Sequence, residues 1–183
     1  MSFSICVFCG SAPGLRPAYA AAAQLVGTAI GRRGWTLVFG GGRVGLMGIL
    51  ADAALAAGGR VTGVIPQFLY EREVAHRGLE SLEIVQSFAE RKQRMGELSD
   101  AFLSLPGGVG TLDELFEAWS WTQARLQRKR SGLSKVDGYY DELLAFLRTS
   151  VREGFLHPQS LSILHAGTDV EELLEALAMP WAS

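Results

Sequence analysis

Ten residues, Leu105-Pro106-Gly107-Gly108-Val109-Gly110-Thr111-Leu112-Asp113-Glu114, constrain this chain more than any others. The apolar run Ala101 to Leu105 ahead of them reads as a buried strand, and Leu112, Leu115, Phe116 and Trp119 behind them recur at helical spacing. Pro106 ends the strand, and the glycines let the backbone turn tightly with no side chain in the way of a ligand. The free N–H groups at the start of the helix then point at whatever lies over the loop, and a phosphate is the natural occupant. Thr111-Leu112-Asp113-Glu114 also fits a capping box, with Thr111 as N-cap and Glu114 at the third helical position, so Glu114 either closes the helix end or faces the ligand.

The same alternation recurs along the chain. Strands are expected at Ile5–Cys9, Trp35–Phe39, Val61–Ile65, Leu82–Val85 and Ala101–Leu105, a polar sixth at Ser131–Val136 and a last one at Leu161–His165. Helices are expected from Ala18 to Arg33 with Leu25, Val26 and Ile30 inward, from the second glycine cluster to Ala57, and from Thr111 to about Gln127. Others follow at Tyr139–Glu153 and Thr168–Ala178, the last capped by Thr168 and Glu171. Ser87 and Glu90 form a capping box at the head of a helix carrying Arg91, Lys92 and Arg94, while Gln67 to Ser81 reads as a long charged connection. Strands alternating with helices make an α/β protein with a parallel sheet, and glycine-bearing loops after strands one, two and five fall at its ligand-binding carboxyl edge.

Several classes of function are disfavoured. With 183 residues, 48% of them apolar, the chain suits one globular domain, and a net charge of −2 gives no reason to expect nucleic acid as a partner. No apolar stretch approaches the roughly 18 residues a membrane span needs. Met1-Ser2-Phe3-Ser4-Ile5 lacks a basic n-region, so a cytoplasmic protein is expected. Cys6 and Cys9 form a C-x-x-C within a strand, where residues three apart face opposite ways, so two buried thiols are expected rather than a redox or metal pair. His76, His157 and His165 show no metal-ligand spacing, and no metal or other cofactor is expected. Gly40, Gly42 and Gly45 fit G-x-G-x-x-G, yet the next strand ends Val64-Ile65-Pro66 without the acid that would hold a dinucleotide ribose. A mononucleotide cradle fits better.

Four motifs stand together in this chain: Pro106–Glu114 reads P-G-G-x-G-T-x-x-E, Arg91-Lys92 with Met95 reads R-K-x-x-M, Gly40–Gly48 is a second glycine loop, and Val136-Asp137-Gly138-Tyr139-Tyr140 reads V-D-G-Y-Y. Together they resemble the motifs of the Lonely Guy family of cytokinin riboside 5′-monophosphate phosphoribohydrolases. The resemblance runs from about Ile5 to the final helix. It implies a Rossmann-like doubly wound parallel sheet with helices on both faces, a single domain over 1–183, and a homodimer. It also implies hydrolysis of the N-glycosidic bond of an adenosine-type 5′-monophosphate to free base and ribose 5-phosphate. Arg91 and Glu114 take the family's catalytic positions. Glu73, Lys92, Ser120 and the loop Gly107, Gly108, Val109, Gly110, Thr111, Leu112 and Asp113 take substrate-binding positions, joined by Ser11, Gly41 and Gly42 on the other glycine loops.

Breaking such a bond builds positive charge on the ribose, and a carboxylate beside it, Glu114, stabilises that charge. Arg91 is a fixed cation with a planar fork of donors, suited to a phosphate or a departing base. The chain departs from the family over Lys129–Lys135, where a polar sixth strand reads as an edge, frayed or shifted element and Arg125–Arg130 is unusually basic. Phe116, Trp119 and Trp121 exceed one buried stripe, which suggests that part of their helix lies in a dimer interface. The competing reading is a nucleotide or molybdenum-cofactor carrier on the same fold, with Glu114 only a helix cap.

Overall fold

The computed structural model describes residues 3–72 and 74–181. Seven strands form one sheet in the order β4-β3-β2-β1-β5-β6-β7, with every neighbouring pair parallel. They are β1 (Ser4–Phe8), β2 (Thr36–Phe39), β3 (Arg60–Pro66), β4 (Ser81–Val85), β5 (Ala101–Ser104), β6 (Arg130–Ser134) and β7 (Leu164–Gly167). The chain moves outward from β1 to β4, then crosses to β5 on the other side of β1. That reversal opens a crevice at the carboxyl ends of β1 and β5, where ligands of such sheets bind.

Side-chain alternation along the strands builds two layers. Ile5, Val7, Leu103 and Leu105 face α1 (Pro17–Arg32), α2 (Gly45–Ala56) and α8 (Val170–Ala178), while Cys6, Phe8 and Phe102 face α4 (Phe88–Glu97) and α5 (Val109–Gln123). The two thiols therefore lie on opposite faces, buried and free. Helices α1 and α2 approach backbone to backbone. A methyl group on Gly27 would stand 2.3 Å from the Leu50 carbonyl oxygen, and one on Gly31 2.6 Å from that of Ala54. In α1, Val26 and Ile30 are buried as expected, but Leu25 is 53% exposed, because the glycine stripe rather than a leucine stripe makes the contact.

Other expectations need correction. The polar strand β6 is interior, held between β5 and β7, and four of its five residues are buried. Its missing volume is filled from the opposite layer, where Leu177 of α8 lies so close to Gly132 that a methyl there would sit 2.8 Å from its Cδ1. The long connection after β3 contains a short helix, α3 (Gln67–Glu71). The last strand begins three residues later than expected, after the short helix α7 (Pro158–Leu161). Helix α6 spans Asp141–Arg152, and a single 3-10 turn at Val136–Gly138 precedes it. Helix α8 is capped by Asp169, whose carboxylate accepts from the Glu172 N–H, not by Thr168. The end of the basic segment is tied into the fold, while Arg125 and Arg128 are exposed. Lys129 Nζ donates to the Gly96 carbonyl at 2.6 Å, and Arg130 donates to the carbonyls of Met179 and Pro180 at 3.0 Å each.

Candidate active site

A cavity of about 490 Å³ opens at the crevice between β1 and β5. One of its walls is the start of α5, which differs from expectation. The helix begins at Val109 with Gly108 as N-cap, and no side chain caps it. Thr111 is thus already the third helical residue, and Glu114 lies in the second turn, free of any capping duty. The first N–H groups of the helix have no partner within it, and no acidic side chain occupies its first turn. Methyl groups built on Gly108 or Gly110 would meet nothing within 4 Å, so open space lies over both. This is the geometry of an anion seat.

Glu114 projects from α5 toward Arg91 of α4, with 3.6 Å between Oε1 and Nη1. Both side chains are only 11% exposed. Arg91 is held from behind: Nε donates to the Val64 carbonyl at 3.1 Å and Nη2 to the Gly40 carbonyl at 3.0 Å. Gly40 is required for this, since a methyl there would stand 1.8 Å from Nη2. Two strand ends and a bare glycine therefore fix the guanidinium, leaving Nη1 toward Glu114. Burial pushes the Glu114 carboxyl up to about 7, against the opposing pull of Arg91.

The capping box at the head of α4 is present. Ser87 Oγ accepts from the Glu90 N–H at 3.1 Å, and the Glu90 carboxylate accepts from the Gln86 N–H at 2.7 Å. Successive residues of an α-helix point about 100° apart, so Arg91 and Lys92 diverge. Lys92 turns to α5, where Nζ donates to Asp113 at 2.9 Å and to Glu117.

Of the residues expected at the site, Ser11, Gly42, Gly108, Val109, Gly110, Thr111, Arg91 and Glu114 border the cavity. Lys92 and Asp113 are tied to each other across the two helices, and Gly107 packs against Thr111 beneath the loop. Gly41, at a φ of 72°, lies against Ile65 and Leu82, while Leu112 faces the layer beneath α6. Ser120 donates to the Glu117 carbonyl and borders a separate apolar groove with Phe116 and Phe155. Glu73 lies outside the described residues.

The opposite wall is apolar: Val44, Met47, Ile65, Leu69, Val74 and Phe88. Val44 and Met47 lie within the second glycine motif and Phe88 stands one helical turn before Arg91, but no motif marks Leu69 or Val74. Val74 and Leu69 belong to the connection after β3. That segment is strapped to the second glycine loop by a bridge between Gly42 and Ala75, with bonds from the Arg43 N–H to the Val74 carbonyl and from the His76 N–H to the Gly41 carbonyl, each 2.8 Å. His76 also meets Asp52 of α2 at 2.9 Å. The second glycine loop itself packs tightly. A methyl on Gly45 would fall 2.3 Å from the backbone of Ser11, so its glycines serve close approach of the two loops. Among the described residues no three His, Cys, Asp or Glu side chains gather to hold a metal ion.

The family described as "Possible lysine decarboxylase" matches residues 47–177. A probable cytokinin riboside 5′-monophosphate phosphoribohydrolase of Oryza sativa subsp. japonica is 46% identical over 170 residues, covering 93% of this chain and 69% of its own. The chain belongs to this Lonely Guy family. Another member, the cytokinin riboside 5′-monophosphate phosphoribohydrolase of Rhodococcoides fascians, is 44% identical over 97% of this chain and 90% of its own. One from Arabidopsis thaliana is 43% identical over 94% and 80%. The fold extends beyond the family. A molybdenum cofactor binding protein from Rippkaea orientalis superposes with a TM-score of 0.74 at 21% identity, over 98% of this chain and 99% of that one. The Moco carrier protein of Chlamydomonas reinhardtii gives 0.71 at 22% identity, over 96% and 95%.

Proposed function

We propose that this Lonely Guy family member is a single-domain hydrolase that cleaves the N-glycosidic bond of nucleoside 5′-monophosphates, cytokinin riboside 5′-monophosphates, AMP or both. The products are free base and ribose 5-phosphate. The observation that carries this reading is the buried Arg91–Glu114 pair one and a half turns below an uncapped, anion-seeking helix start. Glu114 lies five helical steps beyond Val109, about 7.5 Å along the axis. A phosphate on the α5 N–H groups thus leaves a ribose over Glu114 and the base against the apolar wall.

In this reading the bond from C1′ to the base nitrogen breaks with its electron pair going to the base, which takes up a proton. Water supplies the hydroxyl that ends on C1′. The Glu114 carboxylate stabilises the positive charge that develops on the ribose and accepts a proton from the water. Its displaced pKa keeps proton exchange possible near neutrality. Arg91 stays charged and supplies donors to the phosphate or the leaving base.

The same reading includes a homodimer, with the half-exposed Phe116 and the exposed Phe155 of the apolar groove meeting a second copy, and a cytoplasmic location. No helix among the described residues is long and apolar enough to cross a membrane. Sedimentation as a monomer at micromolar concentration would count against the dimer.

The test is chromatographic: purified protein with AMP and with isopentenyladenosine monophosphate, beside Glu114→Ala and Arg91→Ala. Free base from the wild type, lost in both variants, supports the hydrolase. No release from either nucleotide by folded, nucleotide-binding protein would favour a carrier, as on the molybdenum-cofactor proteins that share the fold.

A further inference from the structure

Three successive carbonyls of the loop before α5 are all engaged. Tyr140 Oη donates to the Leu105 carbonyl at 2.7 Å, the Gly10 N–H to that of Pro106 at 3.0 Å, and Tyr139 Oη to that of Gly107 at 2.6 Å. Every peptide bond described is trans, and in a trans peptide the N–H of the next residue points opposite to the carbonyl. Holding a carbonyl outward therefore aims the following N–H inward. The three bonds differ in consequence. The N–H after Leu105 does not exist, because residue 106 is proline. The N–H after Pro106 belongs to Gly107, which packs against Thr111 and is not among the residues lining the cavity. The N–H after Gly107 belongs to Gly108, which borders the cavity.

The peptide between Gly107 and Gly108 is also the one least able to hold itself. It is flanked by two residues without Cβ, so sterics alone do not choose between its two orientations. We infer that Tyr139 is a positioning residue. Its hydroxyl locks the Gly107–Gly108 peptide so that the Gly108 N–H joins the N–H groups of α5 in binding a substrate phosphate.

Tyr139 is itself braced. Its ring makes edge contacts with Tyr19 at 5.6 Å and with Tyr140 at 4.9 Å between centroids. The turn that delivers it runs through Asp137 at a φ of 47° and Gly138 at 71°, and Arg16 donates to the Asp137 carbonyl at 3.3 Å. Helix α1 and the head of α6 thus converge on one loop carbonyl. Yet Tyr139 is 43% exposed and Gly107 is not buried, so water can reach the carbonyl once the hydroxyl is removed. Tyr140, 2% exposed, is the opposite case, where loss of the hydroxyl strands a buried carbonyl.

The inference rests on the nucleotide reading of the site, and titration calorimetry with ribose 5-phosphate and with adenosine separates the two. Tyr139→Phe is expected to weaken ribose 5-phosphate binding about ten-fold, the worth of one hydrogen bond to a charged group. Adenosine affinity and melting temperature should stay at the wild-type values, and KM for AMP should rise with kcat retained. Tyr140→Phe should instead lower the melting temperature. Equal losses for both ligands, or undiminished ribose 5-phosphate binding by Tyr139→Phe, would overturn the role given to Tyr139. A wild type that binds no ribose 5-phosphate would overturn the nucleotide reading and this inference with it.

Discussion

Replacing Glu114 by glutamine should make the ligand-free protein more stable and inactive, and the gain should depend on pH. Glutamine copies the neutral carboxyl in shape and polarity but cannot ionise. Burial raises the Glu114 pKa from 4.5 to about 7 even though Arg91 stands beside it. Each unit of such a displacement is 1.36 kcal/mol between the two protonation states, so ionised Glu114 costs the folded state about 3 kcal/mol. The sign follows from proton linkage. The folded state holds this proton more tightly than the unfolded one, so the wild type has its full stability below about pH 4.5 and loses it as pH rises to about 7. The glutamine variant has no such loss. Urea unfolding of both proteins without ligand, at one protein concentration from pH 5 to pH 8.5, should show a stability gap that opens with pH to about 3 kcal/mol. For a chain of this size that is roughly 6 to 12 °C in melting temperature. A gap that stays flat across the range, or closes as pH rises, would refute the claim that a buried, proton-hungry carboxylate sits here. Base release should fall by at least about a hundred-fold in the variant at every pH.

Three further changes test other parts of the structure. Gly40→Ala should drive the Arg91 guanidinium from its seat, because the new methyl would stand 1.8 Å from Nη2; base release should fall about a hundred-fold with far-ultraviolet circular dichroism unchanged. Gly27→Ala should destabilise by about 2 kcal/mol in urea unfolding, since the methyl would meet the Leu50 carbonyl at 2.3 Å and overpacking there outweighs alanine's helix preference. Ser131→Ala should leave stability unchanged or raise it by up to about 1 kcal/mol, because the buried Ser131 hydroxyl has no hydrogen-bond partner among the described residues; a clear loss in the same assay would show that the hydroxyl is engaged.

The fold was legible wherever one segment announced itself. Apolar runs gave five strand positions to within a residue or two, and the Ser87–Glu90 pair marked the head of α4 correctly. Errors arose where a partner elsewhere in the chain supplied what the segment lacked. Arg130–Ser134 looks too polar for the interior of a sheet, yet Leu177 fills the space over Gly132 and makes it an inner strand. The start of α5 was misplaced because Gly108 caps with backbone alone, and a side-chain rule sees only Thr111. The site divides in the same way. Its loops and the two charged residues could be named from their motifs, but nothing in their spacing says that residues 91 and 114 meet. The apolar wall was illegible because it is assembled from α2, β3, α3, α4 and the loops beside them, one or two residues each.

The strap after β3 has a consequence for how such a protein diversifies. Arg91 is anchored to strand ends and Glu114 to a long helix, whereas Leu69 and Val74 ride on a segment joined to the second glycine loop by main-chain bonds that any sequence can make. On the proposed function, part of the substrate choice is thus carried by a segment that does not itself hold the Arg91–Glu114 pair. Substitutions at Leu69 or Val74 can reshape the room offered to a base while that pair keeps its place, so lineages sharing one reaction are free to drift in what they accept.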